Sequence, residues 1–261
     1  MNPSRQTAII TGASSGIGRE AAVRLAKRGM ATVLVARRTD RLEALAEELS
    51  SHAPATAVTL DLADADAVEH RAAQLVGEFG PIHVLVNNAG VGQYRPFLQM
   101  DEQTHRRIMQ TNYFAPAAMI RAVLPGMVER GYGRVINVGS VVTKMATWGH
   151  SGYCASKSAL TALTQALETE HAGTGVRFCM VHPGIVRTEF FDDPQYTPLR
   201  AQVQRYGIEP DRVAGVIERM IDHPKLDVLV PGHLRAVEWL RALSPTLTHR
   251  LFARSSRPNQ A

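Results

Sequence analysis

The chain has 261 residues and only two cysteines, Cys154 and Cys179. Two thiols cannot build a disulfide framework, and their separation matches no metal-ligand spacing, so both read as core fillers of a reducing compartment. Cys154 adjoins a candidate proton donor and is the one expected to sense alkylating agents. No apolar run reaches 18 residues, which excludes a membrane-spanning helix. The first residues enter an apolar strand with no signal-peptide core, which predicts a cytoplasmic protein. Clustered positive charge is also lacking. The net charge of +5 and pI near 9.5 are spread along the chain, so a solvated surface and an anionic cofactor account for the excess without nucleic acid. What remains, with 45% hydrophobic residues, is one soluble α/β domain large enough for a sizeable core.

A further absence is more specific. A short strand over residues 7–11 runs into Gly12-Ala13-Ser14-Ser15-Gly16-Ile17-Gly18, followed by a helix over 19–28. Glycines there permit a tight turn and close approach of a pyrophosphate, which the amides and positive end of the helix favour. Dinucleotide folds selective for NAD offer a carboxylate to the ribose about 20 residues later, at the end of the second strand. This chain has none. Residues 31–36 lead instead into Arg37-Arg38, and paired guanidinium groups suit a 2′-phosphate. The cofactor indicated is NADP(H).

Residues 39–50 form a helix with Leu42, Leu45 and Leu49 on one face, and a third strand over 56–60 closes in Asp61-Leu62. Asp61 is suited to an adenine edge or to capping the next helix, 64–79. A fourth strand, 82–86, ends in Asn87-Asn88-Ala89-Gly90, where short amides and a glycine can hold unusual backbone beside a ligand. Strand and helix alternation of this kind predicts a Rossmann-type doubly wound parallel sheet with helices on both faces and ligand at the carboxyl ends of its strands.

The stretch from Ser140 to Lys157 carries the chemistry. Tyr153 and Lys157 are four apart on a predicted helix, so they share one face. Bringing a phenol from about 10 to near pH 7 requires roughly 4 kcal/mol, and one ammonium about 4 Å away supplies nearly that at an effective dielectric near 20. Tyr153 is therefore a candidate general acid or base. Ser140, after the apolar strand 134–138, is suited to donate to a substrate oxygen.

In this order, Thr11 to Gly18, Asp61, Asn87 to Gly90, Asn112, Ser140, Tyr153, Lys157 and Pro183-Gly184 resemble the short-chain dehydrogenase/reductase family, in its group of roughly 250-residue members. The resemblance covers about residues 6–232. It implies that Tyr153 passes a proton to or from the substrate oxygen, that Ser140 steadies that oxygen, and that Lys157 lowers the tyrosine pKa and binds the nicotinamide ribose. It also implies that Asn112 holds a water in a proton relay. The Asn88 to Gly90 segment falls on the adenosine side, and Pro183, Gly184, Val186 and Thr188 fall around the nicotinamide. His182, where many relatives carry Asn or a small residue, reads as a neutral imidazole satisfied by backbone.

Substrate selectivity is expected from residues 141–152, with Met145 and Trp148, and from 188–209, with Phe190, Phe191 and Tyr196. These side chains favour an apolar or bulky substrate. Asp192, Asp193, Arg200 and Arg205 leave a polar one open, and the length of the second segment suggests a mobile lid. The catalytic unit spans 1–232 and the basic amphipathic tail 233–261. Pro245 divides the tail into two short helices, and order is expected to end near residue 255. Packing of the tail on the domain or across a homo-dimer or homo-tetramer is favoured over membrane contact. The leading reading is an NADP(H)-dependent oxidoreductase interconverting a ketone or aldehyde and an alcohol. The alternatives are an NADP redox sensor without turnover, for which the Asn112, Ser140, Tyr153 and Lys157 set is unnecessary, and a membrane-associated reductase of lipid ketones.

Overall fold

A computed structural model describes residues 6–256, with side chains described through residue 250. Seven strands form one parallel sheet: β1 (Thr7–Thr11), β2 (Ala31–Ala36), β3 (Ala55–Thr59), β4 (Ile82–Asn87), β5 (Gly133–Val138), β6 (Val176–Pro183) and β7 (Asp227–Val230). Their spatial order is β3-β2-β1-β4-β5-β6-β7. The central strands are largely apolar because both sheet faces are covered; all six residues of β4 are buried, His83 and Asn87 among them. Edge strand β3 is largely accessible.

One face carries α1 (Gly16–Lys27), α2 (Thr39–Leu49) and α8 (Pro210–Asp222), which bury Leu25, Leu42 and Ile217 against Ile10 and Leu34. The other carries α3 (Ala65–Phe79), α5 (Ala115–Glu129) and α6 (Ser151–Glu170), with Leu75 and Met119 against Ile9 and Leu85. Ion pairs join α1 to α8 at Arg24–Asp211 (2.8 Å) and Arg28–Asp222 (3.0 Å). The chain winds outward from β1 in one direction and from β4 in the other, so a crevice opens where their carboxyl ends diverge.

Helix α4 (Glu102–Met109) passes into α5 through a π-helical turn, Gln110–Phe114. The segment after Thr188 is compact: 3₁₀ turns at Glu189–Phe191 and Pro194–Leu199 precede α7 (Arg200–Tyr206). The tail forms α9 (Arg235–Leu243) and α10 (Pro245–Ser256), divided at Pro245. It is helical through Ser256; the rest of the stretch expected to lose order, 257–261, lies outside the described residues. No helix among the described residues is long and apolar enough to cross a membrane.

Candidate active site

After β1 the chain turns through Gly12 and Gly16 at φ of 67° and 55°, a region favourable only to glycine. Gly18 is needed for space: a Cβ there would lie 2.3 Å from the Gly12 carbonyl oxygen and 2.5 Å from Asn88 Nδ2. α1 begins at Gly16, three residues earlier than expected. Its N-cap, Ser15, makes no side-chain cap bond, and its first turn holds no acid. The positive end of the helix is thus left for an anion, and the turn fits a pyrophosphate. Asn88 Nδ2 donates to the Thr11 and Gly12 carbonyls at 3.0 and 3.3 Å, fastening the turn to the end of β4.

Arg37 is exposed on the cleft wall. Arg38 reaches Ser14 Oγ from Nε and Nη2 at 3.2 and 3.0 Å, and Ser15 Oγ from Nη2 at 2.8 Å. Asp61 is exposed, and its Oδ1 accepts from the Ala63 amide at 3.0 Å. The capping alternative for Asp61 is corrected: Asp64 caps α3, accepting from the Ala67 amide at 3.0 Å. The expected unusual backbone at Asn87 to Gly90 is also corrected, since none of these residues has positive φ. Gly90 serves by its size instead. A Cβ there would meet Lys157 Nζ at 3.3 Å and Asn112 Oδ1 at 3.4 Å.

Tyr153 and Lys157 lie in the first turns of α6, and Ser140 just beyond β5. Ser140 is hydrogen-bonded to Tyr153, which lowers the phenol's pKa, but burial dominates and pushes it up to about 12. Lys157, 3% exposed, donates from Nζ to the Val138 carbonyl at 2.7 Å, and burial pulls its ammonium down to about 8. Nζ sits 5.9 Å from the Tyr153 ring centroid and points to a backbone carbonyl, while desolvation disfavours both charged forms.

Asn112 is fully buried in the π-helical turn. Its Oδ1 accepts from the Val91 amide at 2.9 Å, and its Nδ2 donates to the Val91 carbonyl at 2.8 Å and Ser156 Oγ at 2.9 Å. It therefore clamps the loop after β4 to α6, and a turn of this kind inside a helix often marks a functional position. His182, also fully buried, is satisfied by backbone on one side only, and its other nitrogen meets a carboxylate. Its Nδ1 lies 3.1 Å from both the Ser140 carbonyl and Thr143 Oγ1, while Nε2 lies 3.1 Å from the Asp227 carboxylate. Lys144 Nζ bridges Asp227 at 2.7 Å and Glu238 at 3.0 Å, and Arg241 donates to the Lys144 carbonyl at 2.8 Å. The loop carrying Ser140 is thus held from behind by β7 and α9.

The other end of the cleft is aromatic. Tyr94 packs edge-on to Trp148 at 5.1 Å, His150 stacks on Tyr196 at 6.1 Å, and Phe190 lies 5.7 Å from Tyr153. Burial pulls His150 down to about 4, so the ring is neutral at pH 7. Burial also raises the Cys154 thiol, which runs against the expected sensitivity to alkylation.

These groups line one cleft of about 1350 Å³, larger than the usual range for a single small-molecule pocket. Gly12, Ser14, Ser15, Gly16, Ile17, Arg37, Arg38, Asp61, Leu62, Asn88, Ala89 and Gly90 line one part. Ser140, Tyr153, Lys157, Pro183, Gly184, Val186 and Thr188 line the rest, with Met145, Trp148, Phe190, Phe191 and Tyr196 around them. Gly18 and Asn112 stand behind the wall. Sequence reasoning missed Tyr94 and His150, which had no spacing signal, and Arg41, a third arginine close behind Arg37-Arg38 in the first turn of α2.

The parallel sheet, the glycine turn at its switch point and the Ser140, Tyr153, Lys157 cluster define a Rossmann-type oxidoreductase. Residues 6–197 match the short chain dehydrogenase family, and the chain belongs to that family of enzymes, which act on CH–OH and C=O groups. The bovine dehydrogenase/reductase SDR family member 7B is 32% identical over 267 residues, covering 95% of this chain and 81% of the bovine protein. A solved short-chain dehydrogenase from Sphingobium yanoikuyae in complex with NADPH is 31% identical, with a TM-score of 0.82 over 98% of each chain. Another from Burkholderia phymatum, in complex with NAD, is 25% identical with a TM-score of 0.84, over 100% of this chain and 99% of that one.

Proposed function

We propose that the protein is an NADP(H)-dependent oxidoreductase that interconverts a bulky, largely apolar ketone or aldehyde and its alcohol. The carrying observation is the convergence in one cleft of the Ser140–Tyr153–Lys157 cluster with the glycine turn and Arg37-Arg38. Relatives in complex with NADPH and with NAD both occur, so the preference for NADP(H) rests on the two arginines and the missing carboxylate. The nicotinamide supplies the hydride when bound.

Gly12, Ser14 to Gly18, Arg37, Arg38, Asp61, Leu62 and Asn88 to Gly90 hold the adenosine and phosphate half in this reading. Pro183, Gly184, Val186 and Thr188 hold the nicotinamide half. Tyr153, protonated at neutral pH because burial raises its pKa, gives its proton to the substrate oxygen, and Ser140 donates a hydrogen bond to the same atom. Lys157 binds ribose hydroxyls and favours the phenolate once a substrate draws the proton away. Asn112 keeps the loop after β4 in register and serves the proton relay. Tyr94, Trp148, Phe190 and Tyr196 support an aromatic or otherwise bulky substrate. Tyr196 Oη is buried without a hydrogen-bond partner, which favours a second acceptor on that substrate because an unmet buried hydroxyl costs about 1–3 kcal/mol.

Residues 1–232 are read as the catalytic unit of a cytoplasmic homo-dimer or homo-tetramer, with 233–261 as an added tail. Exposed Phe97, Leu98 and Phe114 and the two free cysteines support that reading. The deciding experiment titrates NADPH and NADH by nicotinamide fluorescence, then adds ketones of graded bulk. Tighter NADPH binding and bulky-ketone turnover are expected. Tyr153→Phe should lower turnover by about 10²- to 10⁴-fold with NADPH affinity nearly unchanged; undiminished turnover in that variant would sink the mechanism.

A further inference from the structure

Glu189 opens the segment that follows Thr188, yet its carboxylate lies on the far side of the cleft. Oε2 accepts from Arg38 Nη1 at 2.6 Å, and Oε1 accepts from Arg41 Nη1 at 2.6 Å. Arg38 is the N-cap of α2, with extended backbone, and Arg41 lies in its first turn, so both guanidinium groups meet at the one carboxylate. Arg38 is fixed from behind by Ser14 and Ser15 at the glycine turn. The start of the segment is also pressed on that turn, since a Cβ on Gly16 would meet Thr188 Cγ2 at 2.9 Å. A single anionic group held by one nitrogen from each of two guanidinium groups resembles the way arginines take up phosphate. Arg37, Arg38 and Arg41 carry three positive charges against the carboxylates of Glu189 and of Asp61 on the same cleft wall, an excess that favours a phosphate monoester, which carries about −1.5 to −2 at pH 7.

We infer that Glu189 is a built-in stand-in for the ribose 2′-phosphate, and that Arg41 joins Arg38 in holding that phosphate once the carboxylate is displaced. The inference rests on the NADP(H) reading and adds a specificity-determining residue to it. A cofactor with a 2′-phosphate must break both Glu189 pairs, which offsets part of its contact with the arginines. A cofactor without one leaves them intact. Glu189 therefore tempers the preference for NADP(H) and couples the 2′-phosphate to release of the segment that covers Tyr153 through Phe190.

The test measures equilibrium binding of NADPH, NADH, 2′,5′-ADP and ADP to the full chain, for the wild type, Glu189→Gln and Glu189→Gln combined with Arg38→Gln. Two half-exposed pairs at about 0.2–1 kcal/mol each predict that Glu189→Gln binds NADPH and 2′,5′-ADP about 2- to 30-fold more tightly, with NADH and ADP unchanged. The gain should vanish when Arg38 is also replaced. Hydrogen exchange in residues 188–206 should rise in the wild type with 2′,5′-ADP and not with ADP. An equal gain for NADH, no gain at all, or weaker NADPH binding, which would mean that the carboxylate holds the arginines ready rather than competing, overturns the inference. A wild type that prefers NADH counts against the NADP(H) reading alone, because the response of 2′,5′-ADP affinity to Glu189→Gln is scored separately.

Discussion

At the scale of single residues, Lys157 is the clearest conflict between stability and use. Its ammonium is 3% exposed, has one backbone acceptor among the described residues, and is pulled by burial from 10.5 down to about 8. The unfolded chain binds this proton more tightly than the folded one, so the group is destabilising. That penalty, on the order of 3 kcal/mol, is fully present below about pH 8 and fades as pH rises toward 10.5. Lys157→Met, similar in length and without charge, is therefore expected to raise stability at pH 7 by about 1–3 kcal/mol while turnover collapses. Urea unfolding at pH 7 and pH 10.5 checks the sign, because the advantage should shrink at the higher pH; a variant that is less stable at pH 7 would show that the ammonium is a net structural asset. The position of Lys157 was legible from its spacing to Tyr153, but its pKa was not, because that depends on burial set by distant elements. Glu189 and Arg41 illustrate the same limit, lying 148 positions apart.

At the scale of elements, the strands were the most readable part. β1 and β2 occupy the expected residues, because each is a short apolar run bounded by turn residues and buried on both faces. The π-helical turn at Gln110–Phe114 was not readable, since one widened turn leaves the helical periodicity almost unchanged. Nor was the bracing of the Ser140 loop, which depends on Lys144, His182, Asp227 and Glu238 from four separate segments. Lys144 is central to it, and its side chain is 18% exposed between two carboxylates. Lys144→Gln should leave Asp227 paired with His182 alone and release Glu238 of α9, while Arg241 keeps its bond to the backbone carbonyl at position 144. The expected result is a stability loss of about 1–3 kcal/mol and a several-fold fall in kcat with NADPH affinity unchanged. Thermal unfolding and steady-state kinetics with NADPH and ketone varied separately check it. Unaltered kcat alongside lowered stability would limit the bracing to a structural role.

At the scale of the whole molecule, the tail meets the body with its polar side. Glu238 and Arg241 engage the Ser140 loop, while Trp239, Leu243 and Leu247 are 73%, 85% and 50% exposed. Trp239 and Leu243, four apart, form an exposed apolar stripe on α9 that suits a second helix, and Leu247 is exposed on α10 beyond the break at Pro245. A membrane-surface helix would instead set a broad apolar face against a basic one, and here the arginine nearest the body is committed to backbone carbonyls. The stripe therefore fits the proposed homo-oligomer better than a lipid surface. Trp239→Ser with Leu243→Ser removes it without touching Glu238 or Arg241, so the fold and the bracing should persist. Sedimentation velocity is expected to find a smaller assembly for the double variant than for the wild type, and neither should float with vesicles containing 30% anionic lipid, a content chosen to give basic residues about 1 kcal/mol each near the surface. Flotation of the wild type that the double substitution abolishes, with no change in sedimentation, would assign the stripe to a membrane and revive the lipid-reductase alternative.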